Sequence, residues 1–443
     1  MTDSSSGLAI RGQVLQFTGD PFVEGPDTSH RFWSDGLVII EQGMVRQVGQ
    51  ADALLAGLEP GFELHSYPGK LIMAGFVDAH VHYPQIEVIA SYGAQLIEWL
   101  NDYTFPAEGK FHDRDYAKAA ARLFLDEGLR NGITTAAVYC TVHPQSVDAF
   151  FEVCAPYDLR MIAGKVMMDR NAPDYLTDTA QSAYDDSKAL IERWHGKGRA
   201  LYGLTPRFAP TSTAAQLEAA GVLWRETEGV YLQTHVSENR KELEWVAKLF
   251  PDCRDYLGVY EKYGLLGPRS VLGHGIYLSE REKAVIAETG SSIAHCPTSN
   301  LFIGSGLFDL QASQQREHPL RVGLATDVGG GTSFSMFATM RAAYEIAQLQ
   351  SFSLHPLQAY YLATLGSAKS LYLDDKIGNL APGFEADLTV IDLNSTPLIA
   401  QRMSHARDLS EALFIQMILA DDRAVEATYA AGRRVYQRNR DDV

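Results

Sequence analysis

The chain has 443 residues, of which 46% are apolar and 21% charged; that balance fits a folded enzyme and excludes a disordered chain. Its net charge of −17 argues against a nucleic-acid partner, whose phosphates it would repel, but not against a small uncharged base. The length exceeds one ordinary core and suits a barrel of roughly 250–300 residues with a smaller module attached.

Residues 1–7 show no basic region followed by an apolar one, and no run of about 18 apolar residues occurs, so a soluble cytoplasmic protein with no membrane partner is expected. Cys140, Cys154, Cys253 and Cys296 have no Cys-x-x-Cys spacing and read as buried thiols in a reducing compartment.

In chain order, residues 8–17 alternate as a strand, and 37–40 and 44–48 flank Glu41-Gln-Gly43 as a hairpin. Residues 386–392, 425–429 and 434–436 at the far end read the same way. Short strands at both termini predict one small β-sandwich module, interrupted by a large insertion. That insertion opens on an apolar run, residues 71–82, read as one buried strand ending in His80-Val-His82. Side chains on a strand alternate faces, so both imidazoles point the same way. Further strands are expected at 133–139, 161–168, 200–205, 230–235, 270–274, 291–295 and 321–326, with helices such as 113–131 and 213–228 between them. Eight β/α repeats predict an α/β fold, a (β/α)8 TIM-like barrel. The expected division is 1–70 and 376–443 for the two parts of the small module and 71–375 for the barrel.

Active sites of such barrels lie at the C-terminal ends of the strands. Those ends carry His80, His82, Lys165, Arg207, His235, His274, His295 and Asp327. The simplest metal site among them is His80, His82, His235 and Asp327, a nitrogen and oxygen donor set suited to one zinc, or to iron. Coordination would bring the pKa of a bound water to about 7 and supply hydroxide near neutrality. Glu238, three residues past His235, reaches that position without being a ligand and suits a proton shuttle; otherwise it is a carboxylate at a helix start. Asp327 and His274 would assist as hydrogen-bonding catalytic groups. His274 has a second reading as a ligand: with a carbamylated Lys165 it would complete a binuclear site. His295 reads as structural, His143 stays open, and the remaining histidines fall in helices, loops or the small module.

The segments Asp78-Ala-His-Val-His82, Thr234-His-Val-Ser-Glu238, Gly273-His-Gly275 and Ala325-Thr-Asp-Val328 resemble the amidohydrolase superfamily, as does the tail running from Ile377 to Leu388. The string from Glu98 to Glu108, Gly164 to Asp169, Thr205 to Phe208 and Ala294 to Asn300 look more specifically like the guanine deaminase family. This resemblance implies one zinc on the positions matching His80, His82, His235 and Asp327, and proton transfer by Glu238. It also implies substrate contacts from Gln85, Arg207 and Phe208, and a homodimer; by its own chemistry Trp99 suits closing the pocket. The implied reaction is hydrolysis of guanine to xanthine and ammonia, with a purine base as the only partner of the site. A mononuclear site in that family argues against a bridging Lys165. Alternatives are a related aminohydrolase or chlorohydrolase of another heterocycle, or a non-catalytic barrel scaffold. Ala74-Gly75 stands where the superfamily usually has Pro-Gly.

Overall fold

The computed structural model describes residues 7–92, 96–314 and 317–438. Near the N-terminus lie β1 (Leu8–Phe17), β2 (His30–Glu41), β3 (Met44–Gln50) and β4 (Glu63–Ala74). The barrel strands are β5 (Phe76–His82), β6 (Ile133–Tyr139), β7 (Arg160–Gly164), β8 (Val166–Met167), β9 (Leu201–Pro206), β10 (Tyr231–Val236), β11 (Ser270–His274), β12 (Ser292–His295) and β13 (Arg321–Leu324). Close to the C-terminus follow β14 (Leu388–Ile391), β15 (Val425–Ala430) and β16 (Arg433–Gln437).

Both ends of the chain build one seven-stranded sheet, ordered β16-β15-β14-β4-β1-β2-β3. Its seam is β4, parallel to β1 and antiparallel to β14. The hairpins β2–β3 and β15–β16 turn through Gln42-Gly43 and Ala431-Gly432, four residues all with positive φ. Two left-handed central residues match the twist of a two-residue hairpin, which is why glycine occupies the second place in each. The sheet rolls over: the Val45 N–H donates to the Phe384 carbonyl at 2.8 Å, so β3 meets the segment entering β14. Ile10, Val38, Ile72, Leu388 and Tyr429 are enclosed as a common core.

The other sheet is all parallel, ordered β5-β6-β7-β9-β10-β11-β12-β13. Side-chain and single backbone bonds close it between β13 and β5. The Asp327 N–H donates to the His80 carbonyl at 3.0 Å, and the Thr326 N–H donates to Asp78 Oδ1 at 2.9 Å. The Thr326 hydroxyl donates to Asp78 Oδ2. A parallel barrel ringed by helices is the predicted architecture. The helices Arg114–Arg130 and Ala214–Glu226 are capped by Asp113 and Thr213, close to the predicted ends.

Two strand expectations need correction. The run 71–82 is not one strand but the end of β4 and the whole of β5, broken at Gly75. It stays apolar across the break because β4 is buried on both faces: Ile72 and Ala74 face the small core, Leu71 and Met73 the barrel helices. At the break a Cβ on Gly75 would lie 2.3 Å from Thr134 Oγ1. Gly75→Ala is therefore expected to cost about 1–3 kcal/mol of stability through overpacking. Urea unfolding would register this as a lower midpoint with an unchanged slope. An unchanged midpoint would mean that Thr134 yields freely.

The run 161–168 is likewise two pieces, β7 and β8, separated at Lys165. Residues 376–443 also carry more than strands. The helix Leu409–Leu419 lies on the barrel, where the Phe414 ring meets Tyr344 at 5.1 Å and the Tyr360 hydroxyl donates to the Leu413 carbonyl at 3.3 Å. At the opposite end of the barrel from the site, Arg160 and Arg199 pair with Glu385 and Asp387 and tie the barrel to the rolled sheet. No helix among the described residues is long and apolar enough to cross a membrane.

Candidate active site

At the C-terminal mouth of the barrel, β5 supplies His80 and His82, β10 supplies His235, and the turn after β13 supplies Asp327. The Nε2 atoms of His80 and His82 stand 3.3 Å apart, and those of His82 and His235 3.2 Å apart. Asp327 Oδ1 lies 3.4 Å from His80 Nε2 and 3.6 Å from His82 Nε2. These separations fit a metal: ligands held at 2.0–2.1 Å in a tetrahedron stand roughly 3.3–3.4 Å from one another.

The protonation states fit as well. Burial lowers the pKa of His80 and, more strongly, those of His82 and His235, leaving neutral imidazoles with a free lone pair. His235 Nδ1–H donates to the Arg207 carbonyl at 2.6 Å, which fixes the tautomer that turns Nε2 toward the cluster. Burial raises the Asp327 carboxyl, but the facing imidazoles of His80 and His274 outweigh it and hold the group below its usual range. Cys296 also lies near His80, His274 and Asp327. Burial keeps its thiol protonated, and Sγ–H donates to the Ala294 carbonyl at 3.4 Å, so it makes a poor ligand. Among the other cysteines, Cys140 and Cys154 are buried, whereas Cys253 is only half-buried.

Three residues here occupy the left-handed backbone region that non-glycine residues seldom adopt: Ser237 (φ 50°), His274 (φ 68°) and Asp327 (φ 48°). Each costs of order 1–3 kcal/mol and is held by its surroundings. The strain turns chain ends that would run on as strands, so that Glu238, His274 and Asp327 face one point.

Glu238 is buried, and its Oε1 accepts the Ser305 hydroxyl at 3.0 Å. Its Oε2 lies 3.5 Å from His274 Nε2, which is 3.7 Å from Asp327 Oδ2. Burial raises Glu238, opposed by the charge of His274. For His274 burial works the other way, but Glu238, Asp327 and the Asn300 amide oxygen, 2.8 Å from Nδ1, hold the imidazole above its ordinary value. The reading of Glu238 as a helix-start carboxylate does not survive. The capping box of the helix Arg240–Leu249 is made by Asn239 and Glu242, and Glu238 stands before the cap. Glu242 Oε2 accepts the backbone N–H groups of Glu238 (2.9 Å) and Asn239 (3.1 Å), and the Tyr256 hydroxyl donates to its Oε1 at 2.6 Å.

A cleft opens over this cluster, lined by Gln85, Arg207, Phe208, Glu238 and Asp327 together with Leu96, Trp99, Leu100, Ile303 and others. All the sequence-predicted site residues except His80 line it, and His80 lies directly beneath with no exposed surface. Phe208 presents its ring 6.4 Å from that of His235. Lys165 is elsewhere: its ammonium pairs with Asp178, whose other oxygen accepts from Gln216 at 2.6 Å. Engaged in this pair and outside the cleft lining, it is not placed to bridge two metals there. His295 packs its ring on Phe308 at 4.7 Å, with burial pushing its pKa down to about 3, and does not line the cleft. His143 also lies outside it, bonded to Thr141 at 3.1 Å.

Sequence reasoning missed Glu108, Glu242, Asn300 and Ser305. The available signal was a charged residue closing an apolar stretch, as with Glu108 after Phe105-Pro-Ala; Asn300, after Cys296-Pro-Thr-Ser, carries no such signal. Nothing local says what such a residue holds.

The amidohydrolase family model matches residues 71–435. Guanine deaminase from Escherichia coli (strain K12) is 49% identical over 434 residues, covering 97% of this chain and 98% of that protein. The solved structure of E. coli guanine deaminase matches with a TM-score of 0.95, over 97% of this chain and 100% of that one. A guanine deaminase from C. acetobutylicum, solved with guanine bound in its active site, is 26% identical with a TM-score of 0.85, over 97% of this chain and 100% of its own. With a family model spanning most of its length and so similar a relative across nearly all of it, the chain belongs to the amidohydrolase family, within the guanine deaminases.

Proposed function

We propose that the chain hydrolyses guanine to xanthine and ammonia, with one zinc ion held by His80, His82, His235 and Asp327. The observation that carries this reading is the placement of Glu238 beside that donor set, with Arg207 and Gln85 lining the same cleft. The bound guanine of the C. acetobutylicum relative, in the same fold, supports the substrate.

When bound, the ion would lower the pKa of a water to about 7 and so supply hydroxide at neutral pH. The residues of the chain do the rest. Arg207 has only donors to offer, so it suits the O6 carbonyl of guanine and disfavours the amino group of adenine. Phe208 stacks on the purine face. Water adds across C2 and N3: its oxygen bonds to C2, and Glu238 carries one proton to N3. The second proton goes to the 2-amino group, the C2–N bond breaks, and ammonia leaves. His274, whose imidazole the facing carboxylates of Glu238 and Asp327 push above its ordinary value, donates toward the oxygen on which negative charge develops. Asp327 accepts a hydrogen bond from the entering water.

The test is ultraviolet absorbance of the metal-quantified protein with guanine, with ammonia release followed in parallel. One ammonia per guanine consumed, conversion to xanthine and about one zinc per chain are expected. A metal-loaded protein that leaves guanine untouched overturns the substrate, and pterins, adenine and triazines become the next candidates.

A further inference from the structure

Glu108 is fully buried in the short helix Phe105–Gly109, and no step above uses it. Its carboxylate joins the two polar residues on the substrate side of the cleft. Oε1 accepts from Gln85 Nε2 at 3.1 Å, and Oε2 accepts from Arg207 Nη1 at 2.6 Å. The guanidinium is also held over the Phe105 ring at 5.6 Å. A primary amide has one donor end and one acceptor end, and a carboxylate accepts only. Glu108 therefore takes the donor end of Gln85 and leaves its carbonyl oxygen as the group turned elsewhere. That oxygen lies by Gly329, where a Cβ would stand 2.2 Å from it, in the turn that follows Asp327.

We infer that Glu108 is a specificity-determining positioning residue, fixing the Gln85 amide with its oxygen toward the substrate so that the cleft selects a purine carrying both a 6-carbonyl and an N1–H. This rests on the function proposed above and deepens it. From sequence, Gln85 offers a donor end and an acceptor end in no fixed order; Glu108 engages one N–H of the nitrogen end and so fixes which end is the oxygen. The polar side of the cleft then reads as an acceptor for N1–H beside donors for O6, joined by one carboxylate. A purine with the reversed edge, a 6-amino group and an unprotonated N1, meets acceptor against acceptor and donor against donor. Buried mismatches of this kind discriminate by several orders of magnitude, where an apolar pocket achieves only about 10–200-fold.

2,6-Diaminopurine is the probe, because it keeps the same 2-amino leaving group and reverses only that edge. The unaltered protein and Glu108→Gln are compared by kcat/KM for guanine and for 2,6-diaminopurine, with metal content and thermal unfolding followed alongside. In Glu108→Gln the neutral amide no longer dictates which end of Gln85 it binds. The guanine-to-diaminopurine ratio is expected to fall at least tenfold, mostly through loss on guanine, with metal content unchanged. Glu108→Asp keeps an acceptor-only partner and is expected to retain most of the ratio even if both rates drop; it carries the test if Glu108→Gln does not fold. Equal losses on both substrates, with the ratio preserved in Glu108→Gln, would overturn the inference and leave Glu108 a structural ion-pair partner. So would a ratio in Glu108→Asp as low as in Glu108→Gln. Failure of the unaltered protein to deaminate guanine would instead remove the functional reading on which the inference stands.

Discussion

Glu238→Gln is expected to lower kcat on guanine by about 10²–10⁴-fold, the usual contribution of a positioned general acid–base group, while the protein folds and loads metal as before. Glutamine keeps the volume and an oxygen to accept the Ser305 hydroxyl, which now bonds Oε1 at 3.0 Å. The backbone at this point is held independently, because Glu242 Oε2 accepts the residue-238 N–H at 2.9 Å. What the substitution removes is the ability to take up a proton and release it. Burial raises the Glu238 carboxyl toward the working pH, which brings its proton affinity closer to that of the groups it serves. KM is expected to move little, because the contacts to the base are proposed to come from Gln85, Arg207 and Phe208, which line the cleft. Steady-state kinetics with metal analysis on the same sample checks this. Activity within about threefold of the unaltered protein would take the shuttle away from Glu238, and a parallel loss of metal would make it a ligand instead.

Much of this site was legible because strand periodicity carries long-range information. His80 and His82 share a face by alternation, and the barrel brings β10 and the end of β13 to the same mouth, so the cluster follows once eight strands are recognised. The unread parts depend on contacts that no local pattern encodes. Glu108 acts on Gln85 and Arg207, 23 and 99 residues away along the chain. Lys165 sits at a strand end like the residues that line the cleft, but it pairs with Asp178, an acid in the following loop, and lies outside that lining. The break at Gly75 was hidden for another reason. An apolar run shows that every side chain is buried but not that the two halves are buried against different cores. Glu238 and Glu242 show the same limit at close range. Both stand near a helix start, and the capping geometry, not the spacing, decides which is spent on the helix and which is left for chemistry.

Removing the metal is expected to abolish turnover and lower the unfolding midpoint, with one equivalent of zinc restoring both. The stability arm follows from linkage: a ligand that binds only the folded state at 100 times its Kd adds about 2.7 kcal/mol. Here the folded state presents a ready donor set, three imidazoles and a carboxylate with neighbouring atoms 3.2–3.6 Å apart, which the unfolded chain lacks. The metal-free protein should also be more sensitive to acid. His80, His82 and His235 are held below their ordinary pKa by burial, so as pH falls below about 6.5 the unfolded chain binds protons before the folded one does. Their contribution to stability is therefore complete above that pH and is lost as pH falls toward the depressed folded values. Chelation, unfolding curves from pH 8 to 5 and zinc titration separate the possibilities. A requirement for a second equivalent would reopen the binuclear site, against the ion pair that holds Lys165. An unfolding midpoint indifferent to zinc would deny that these four residues bind the ion at all, whatever the activity did.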